Sequence, residues 1–460
     1  MTVDGIALSD LRRSFRGAVP SVIATASADG TPNVTYLSSV HLVDDERVAL
    51  SNQFLSKTSR NLAENPRASI LVLDPLTYDE HRLELVYERT ERRGPLFEAL
   101  REEVDAVAAL SGMQDVFRLR AADVYRVVHI EHLPGGAARR GEPPPDVPAP
   151  MDAATAAARM AELAARLGRA ADLDALVDSA VRGLADLLGY EHSLLALRDE
   201  SGQGLYVIAS HGYESQGVGS ELSVGDGPIG LTAQRSAPVR VGALQQMAKY
   251  GRTVRRSYEE GGVGSSREIP LPSLPEAHSL VAVPAMAMGQ LVGVLAVESP
   301  EPVAYDETDV QILSVVATMV ANAVEIDRSR EQAAEPSVGG PTAVAVPPAD
   351  AGPRVRVRFF EQDGSVFVDD DYLIKGVAGR ILWSLLRTRE AEGRVEFTNR
   401  ELRLDPSLGL PEYRANLESR LILLKRRLDE REGPIRIETC GRGRVRLSVT
   451  GPVALELAGA

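Results

Sequence analysis

Lysine is almost missing from this chain of 460 residues: there are four, at positions 57, 249, 375 and 425, against 47 arginines. A bias of this kind accompanies a GC-rich genome. It makes each lysine worth a reason, because a compact ammonium and a guanidinium fork suit different sites. Cysteine is scarcer still. The single Cys440 excludes an internal disulfide, a CxxC redox pair and a Cys-rich zinc site. Long apolar runs are also lacking, since the best candidates for a membrane span are interrupted by charge, Gly or Pro. The start, MTVDGIALSDLRRSF, does not place basic residues before an apolar stretch as a secretory signal does. No internal repeat and no cluster of metal-ligand type is visible. These absences lead us to expect a cytoplasmic protein with no membrane partner and no metal site.

The length is too great for one core and implies two to four domains. The net charge of −14 is unevenly spread. Residues 354–460 hold 20 Arg/Lys and 17 Asp/Glu, a net +3, leaving 31 and 48 in the rest, a net −17. A positive C-terminal part on an acidic chain is a mild pointer to a polyanionic partner. Two stretches rich in Pro, Gly and Ala read as linkers, 134–150 and 331–353. They divide the chain into 1–133, 151–330 and 354–460.

The first segment alternates strand-like runs with turns. SVIATASADGTPNVTYL holds a hairpin around Ala28-Asp29-Gly30, and ERVAL, ASILVLD, HRLELVYERTE and DVYRVVHIEHL are further strands. SKTSRNLAENP reads as a short helix capped by Ser56 or Thr58 and ended by Pro66. A longer helix is predicted over RGPLFEALREEVDAVAALSG. Together these predict a small antiparallel barrel with helices outside it. The second segment is predicted as α+β, with one long helix over AATAAARMAELAARLGRAADLDALVDSAVRGLADLLG, a sheet, and a closing helix DETDVQILSVVATMVANAVEIDRSRE. In those helices Leu163, Leu167, Leu313, Val316, Val320 and Val324 keep helical spacing, which suits either a dimer bundle or packing on the domain's own sheet. The third segment reads as strands, three helical runs and the hairpin IRIETCGRGRVRLSV.

Lys57 lies in a polar stretch at the start of the short helix. Free N–H groups at a helix start favour an anion, and Ser56, Thr58 and Ser59 add hydroxyls to the ammonium. Capping alone accounts for those hydroxyls equally well. The order TPNVTYLSSVHLV, then ALSNQFLSKTSRNLAENPRASILVLD, resembles the FMN-binding split barrel of the pyridoxamine 5′-phosphate oxidase family. That resemblance covers about residues 10–133. It implies that Lys57 and Thr58 hold the FMN phosphate with Ser56 and Ser59 nearby. It further implies that Tyr36, Leu37 and Ser38 run along the isoalloxazine, that Asn52 stands at the pocket edge, and that the barrel is a homodimer. Oxidases of that family carry late basic residues for substrate phosphate. Arg118, Arg120 and Arg126 instead alternate like surface residues, so no catalytic residue is assigned. Related barrels take haem or another flavin-like cofactor, or none.

DGPIGLTAQRSAPVRV and SLVAVPAMAMGQLVGVLAVES, followed by the last helix, resemble a GAF domain over about 155–328. Its small-molecule ligand is unassigned. A thioether-linked bilin is disfavoured because this segment has no cysteine. His192, His211 and His278 are haem-ligand candidates, though a lone histidine is more often a packed or surface residue. The C-terminal segment resembles the winged-helix domain of response regulators, with NLESRLILLKRRL as third helix and IRIETCGRGRVRL as wing. Arg444 stands where that family usually has Tyr. The resemblance implies duplex DNA as partner, with Arg414, Asn416, Arg420 and Arg427 on the helix and Arg442 and Arg444 on the wing. Leu421, Leu424 and Leu428 form the helix's buried face.

The fold class expected is therefore an antiparallel split β-barrel with helices, then an α+β GAF domain, then a winged helix. The function expected is a flavin- or ligand-sensing transcriptional regulator. The alternatives are an FMN-dependent oxidoreductase regulated by its other domains, or a scaffold acting through protein contacts.

Overall fold

A computed structural model describes residues 2–3, 5–15, 21–37, 39–53, 56–75, 77, 79–110, 118–134, 151–199, 201–242, 269, 271–333, 354–409, 417–440 and 443–458. The chain opens with a two-residue ladder, β1 (Thr2–Val3) on β2 (Ile6–Ala7). A seven-stranded sheet follows, from β3 (Ser21–Ala26), β4 (Pro32–Leu37), β5 (Val40–Leu42), β6 (Arg47–Asn52), β7 (Arg67–Leu73), β8 (Glu80–Glu91) and β9 (Ala121–Leu133). Its order is β4-β3-β7-β8-β9-β6-β5, and every ladder is antiparallel. The β3–β4 hairpin forms where Ala-Asp-Gly predicted it. Asp29 accepts from the Ser27 hydroxyl at 2.6 Å, and Gly30 takes φ +85°, which a residue with a Cβ resists. Alternation along β3 and β7 sends Ile23, Ile70 and Val72 into a core shared with Val48, Leu50, Leu83 and Tyr125. This is an antiparallel half-barrel. Its helices are α1 (Ser56–Glu64), inserted between β6 and β7, and α2 (Pro95–Leu110), between β8 and β9.

The middle segment begins with two helices where one was expected: α3 (Ala153–Leu167) and α4 (Leu173–Leu188). The break has a local cause. Asp172 takes an extended conformation and its carboxylate accepts from the Ala175 N–H at 2.8 Å, which starts a new helix. The sheet holds β10 (His192–Arg198), β11 (Gly204–His211), β12 (Glu221–Ser223), β13 (Val239–Val241), β14 (Ser279–Ala287) and β15 (Gln290–Ser299). Its order is β12-β11-β10-β15-β14-β13. Helix α5 (Gly227–Arg235) covers one face, and α6 (Glu307–Ala333) covers the other with α4. Gly293 of β15 is required by packing, since a Cβ there would stand 2.2 Å from the Ala196 carbonyl oxygen.

One span of α6, Glu307–Ser329, is long and apolar enough to cross a membrane by composition. Its apolar side is nevertheless laid on the sheet: Leu313, Val316, Val320 and Val324 are at most 3% exposed, and Leu163 and Leu167 join the same core. These six residues pack within their own chain, which corrects the dimer-bundle reading of them.

The C-terminal segment has β16 (Val355–Phe360), β17 (Ser365–Val368) and β18 (Asp371–Ile374). Helices α7 (Gly376–Glu392) and α8 (Asn399–Arg403) flank β19 (Glu396–Thr398). Helix α9 (Leu417–Glu430) and strands β20 (Ile435–Thr439), β21 (Arg444–Val449) and β22 (Val453–Ala458) complete it. Two sheets result, β18-β17-β16-β22 and β19-β21-β20. The last strand was not expected from the sequence. It pairs parallel with β16, so the chain end returns to the first sheet of the segment. The core of this segment is continuous with the helix-covered core of the middle segment.

Candidate functional site

Helix α1 begins at Ser56, as its sequence predicts. Ser56, Lys57 and Ser59 are exposed, and Lys57 makes no hydrogen bond or ion pair among the described residues. Thr58 differs from its expected role. It is 1% exposed, and its hydroxyl accepts from the Asn33 amide at 3.0 Å, which ties the helix to β4. Asn52 is likewise engaged, its amide donating to Ser59 Oγ at 3.2 Å and to Asp123 Oδ2 at 2.8 Å. The buried Asp123 also accepts from Thr90 Oγ1 at 2.5 Å. Alternation on β4 separates two other candidates: Tyr36 is 76% exposed, whereas Leu37 is buried in the barrel core. Ser38 lies outside the described residues.

Gln53 was missed by sequence reasoning. It follows β6, three residues before α1, is 4% exposed, and among the described residues neither polar atom of its amide finds a hydrogen-bond partner. Buried polar groups are normally satisfied, so this amide close to a helix start is a candidate for contact with a ligand. Its only sequence signal was its place in the hydroxyl-rich stretch. Behind the same sheet edge, Glu103 of α2 accepts from Ser39 Oγ at 2.5 Å and meets His41 Nδ1 at 3.1 Å, which pins α2 to β5. The serine bonds the carboxylate and not the imidazole, so this is a clamp and not a nucleophilic triad. Arg118, Arg120 and Arg126 are exposed, and Arg126 pairs with Glu88.

In the middle segment His192 stands edge-on to Tyr213, 5.6 Å between ring centres. Burial raises the carboxyl of nearby Glu298 above the ordinary range, against the Leu274 N–H that donates to it at 3.0 Å. Among the described residues no three His, Cys, Asp or Glu side chains are grouped to hold a metal ion.

The C-terminal candidates divide sharply. Arg414, Asn416 and Arg442 lie outside the described residues. Arg444 is exposed on the β20–β21 hairpin, with Arg436 also exposed there. Arg420 is not a surface residue in this arrangement. It is 8% exposed and its guanidinium lies 3.9 Å above the centre of the Tyr206 ring on β11. Arg427 donates to the Leu373 carbonyl at 3.0 Å and pairs with Glu430 at 2.6 Å. Sequence reasoning placed Leu421, Leu424 and Leu428 correctly, and Leu417 joins them. It passed over Ile422 and Leu423, which are also buried. Apolar residues outside the 421/424/428 stripe were the available sign that α9 is covered on a second side.

Comparison with known proteins agrees with two of the three segments. Residues 10–128 match the pyridoxamine 5′-phosphate oxidase family model, and residues 172–324 match the GAF domain model. The GAF domain of a phosphoenolpyruvate-protein phosphotransferase from Coxiella burnetii is similar at 17% identity and TM-score 0.32, covering 40% of this chain and 99% of that one. An FMN-binding protein from Syntrophomonas wolfei is similar at 19% identity and TM-score 0.24, covering 27% and 84%. An uncharacterized protein of Methanocaldococcus jannaschii is 40% identical over 50 residues, which span 10% of this chain and 34% of that protein. The chain thus joins a half-barrel of the pyridoxamine 5′-phosphate oxidase type to a GAF domain. That pairing points to ligand sensing or regulation.

Proposed function

We propose that this protein is a cytoplasmic, homodimeric regulator that couples an FMN-type barrel and a GAF domain to duplex DNA through a winged-helix C-terminal domain. The observation that carries the reading is the layout of the last segment. A short strand between its first two helices, β19, pairs with the hairpin that follows the third, and exposed Arg436 and Arg444 line that hairpin. This is the arrangement expected of a wing beside a three-helix reader.

The barrel's residues fit FMN at one end. The α1 N–H groups, the Ser56 hydroxyl and the unpartnered Lys57 suit a phosphate, and the orphaned Gln53 amide suits a polar ring edge. FMN, when bound, supplies a redox-active ring. A second copy is the natural cover for Val34 and Tyr36, which β4 exposes at 64% and 76% on the edge of the sheet. Coupling between the first two domains runs through α2, where Asp105 pairs with Arg235 of α5 at 3.0 Å.

Two measurements test the proposal. An absorbance spectrum of the purified protein is expected to show flavin, and colourless protein with no affinity for added FMN removes the cofactor. Retardation of fragments of the gene's own promoter at low salt is expected to detect binding that weakens steeply with salt. Failure on every fragment moves the C-terminal domain to protein contacts.

A further inference from the structure

The third helix of the C-terminal segment is the element that a winged helix presents to DNA, yet here it is covered. Residues Ser419, Leu423 and Arg426 recur at helical spacing and form one face of α9, and that face meets the GAF domain. Ser419 and Tyr206 share a hydrogen bond of 2.8 Å between their hydroxyls. Leu423 is 3% exposed, and its Cδ1 would stand 3.6 Å from a Cβ added at Gly219 of the GAF domain. Arg426 donates to the Asp174 carboxylate at 2.8 Å, to the Asp174 carbonyl at 3.1 Å and to the Ile208 carbonyl at 3.2 Å. Lys425 adds a second cation on the same carboxylate at 2.9 Å. The opposite face of α9 is buried against its own domain. Along the helix only Asp429 and Glu430, at its end, are exposed, and both are acidic.

Every cation of this helix is therefore already spent on the protein itself. Arg420 lies on an aromatic ring, Lys425 and Arg426 share one aspartate, and Arg427 is held by Leu373 and Glu430. Asp174, on the first turn of α4, offers these side chains the charge that a DNA phosphate offers. The seam mixes buried apolar contact with ion pairs, so it can be both tight and reversible.

We propose that the GAF domain is a built-in inhibitor of the C-terminal domain, acting through the α9 seam around Asp174 and Tyr206. This rests on the reading of the C-terminal domain as a duplex-DNA binder. Occlusion follows from geometry. A duplex cannot approach a helix whose outward face lies on another domain, and the apparent affinity falls by the fraction of molecules in which the seam is open.

The test uses the full-length chain and two variants, Asp174→Ala and Tyr206→Ala. Both lie in the GAF domain and leave every residue of the proposed DNA surface unchanged. Hydrogen–deuterium exchange of residues 417–430 reports whether the helix is uncovered. Fluorescence anisotropy with a labelled 30-base-pair duplex of mixed sequence (roughly three helical turns) reports binding. Faster exchange with at least about tenfold tighter binding in both variants is the expected result. Faster exchange with duplex binding unchanged from the parent overturns inhibition while leaving DNA binding intact. Faster exchange with no binding by the parent or either variant overturns the DNA reading on which the inference stands. Unchanged exchange in both variants overturns the seam as the inhibitory contact. Circular dichroism matched to the parent distinguishes opening from unfolding.

Discussion

Two helices of this protein were both read as anion-binding elements, and the structure treats them in opposite ways. Helix α1 leaves Lys57 exposed and uncommitted, with an orphaned amide beside it. Helix α9 carries more cations, and each has an internal partner. What separates them is whether the charge has already been neutralised by the protein. A cation paired inside a fold has lost most of its attraction for an outside anion, because the ligand must displace a partner that needs no diffusion to return.

The largest test of that contrast separates the two faces of α9. Leu424→Ala, at 0% exposure on the face toward its own domain, is expected to cost about 2–5 kcal/mol of C-terminal stability. Trp383, stacked on Phe359 within the same segment, is the chain's single tryptophan and reports urea unfolding of that domain. Leu423→Ala, on the seam face, is expected to lower that midpoint less and to speed amide exchange in α9 more. If the two substitutions act alike, the faces are not distinct.

Next comes the uncommitted cation. Lys57→Ala is expected to weaken FMN by about 1.5–3 kcal/mol, the worth of a charge-assisted contact, measured by quenching of flavin fluorescence. An unchanged affinity would place the phosphate elsewhere.

A smaller effect is expected from pH. Burial works against ionisation of Asp174, but Arg426 and Lys425 outweigh it and hold the carboxyl below its ordinary range. A carboxyl lowered by docking strengthens the docked state above its undocked pKa of about 3.9. That contribution is lost as pH falls through the lower, docked value. The difference in α9 protection between the parent and Asp174→Ala is therefore expected to hold from neutrality to about pH 5 and to shrink below about pH 4. A difference that grows on acidification contradicts the assignment.

The smallest effect concerns Glu298. Its carboxyl is raised by burial, so it stabilises the fold while protonated and ceases to as pH rises through the folded value. Glu298→Gln keeps an acceptor for the Leu274 N–H and removes the charge. A modest rise in Tm at neutral pH, and none in acid, is expected by calorimetry.

Much of the fold was legible in the sequence, and particular residues show why. Burial alternates along the strand that ASILVLD forms, the wholly apolar VGVLAV is buried throughout, and Pro66 follows the end of α1. Asp172 was readable as a cap, yet the apolar rhythm on either side of it hid the break between α3 and α4. The strand Val453–Ala458 escaped because its partner, β16, lies about a hundred residues earlier and no local pattern announces a parallel ladder.

The sequence by itself determined the two outer features of the site near α1: a helix start rich in hydroxyls, and a rare lysine placed on it. It also determined most elements of the three segments, though not the α3–α4 break or the last strand, because period and turn chemistry act over a few residues. Only the tertiary structure decided which of those residues remain available. It buried Thr58 on Asn33, left Gln53 without a partner, and set Tyr206 and Asp174 against a helix more than two hundred residues away. Local sequence specifies what a side chain can offer, and long-range packing decides whether the offer is already taken, because burial and pairing depend on groups that the local chain does not contain.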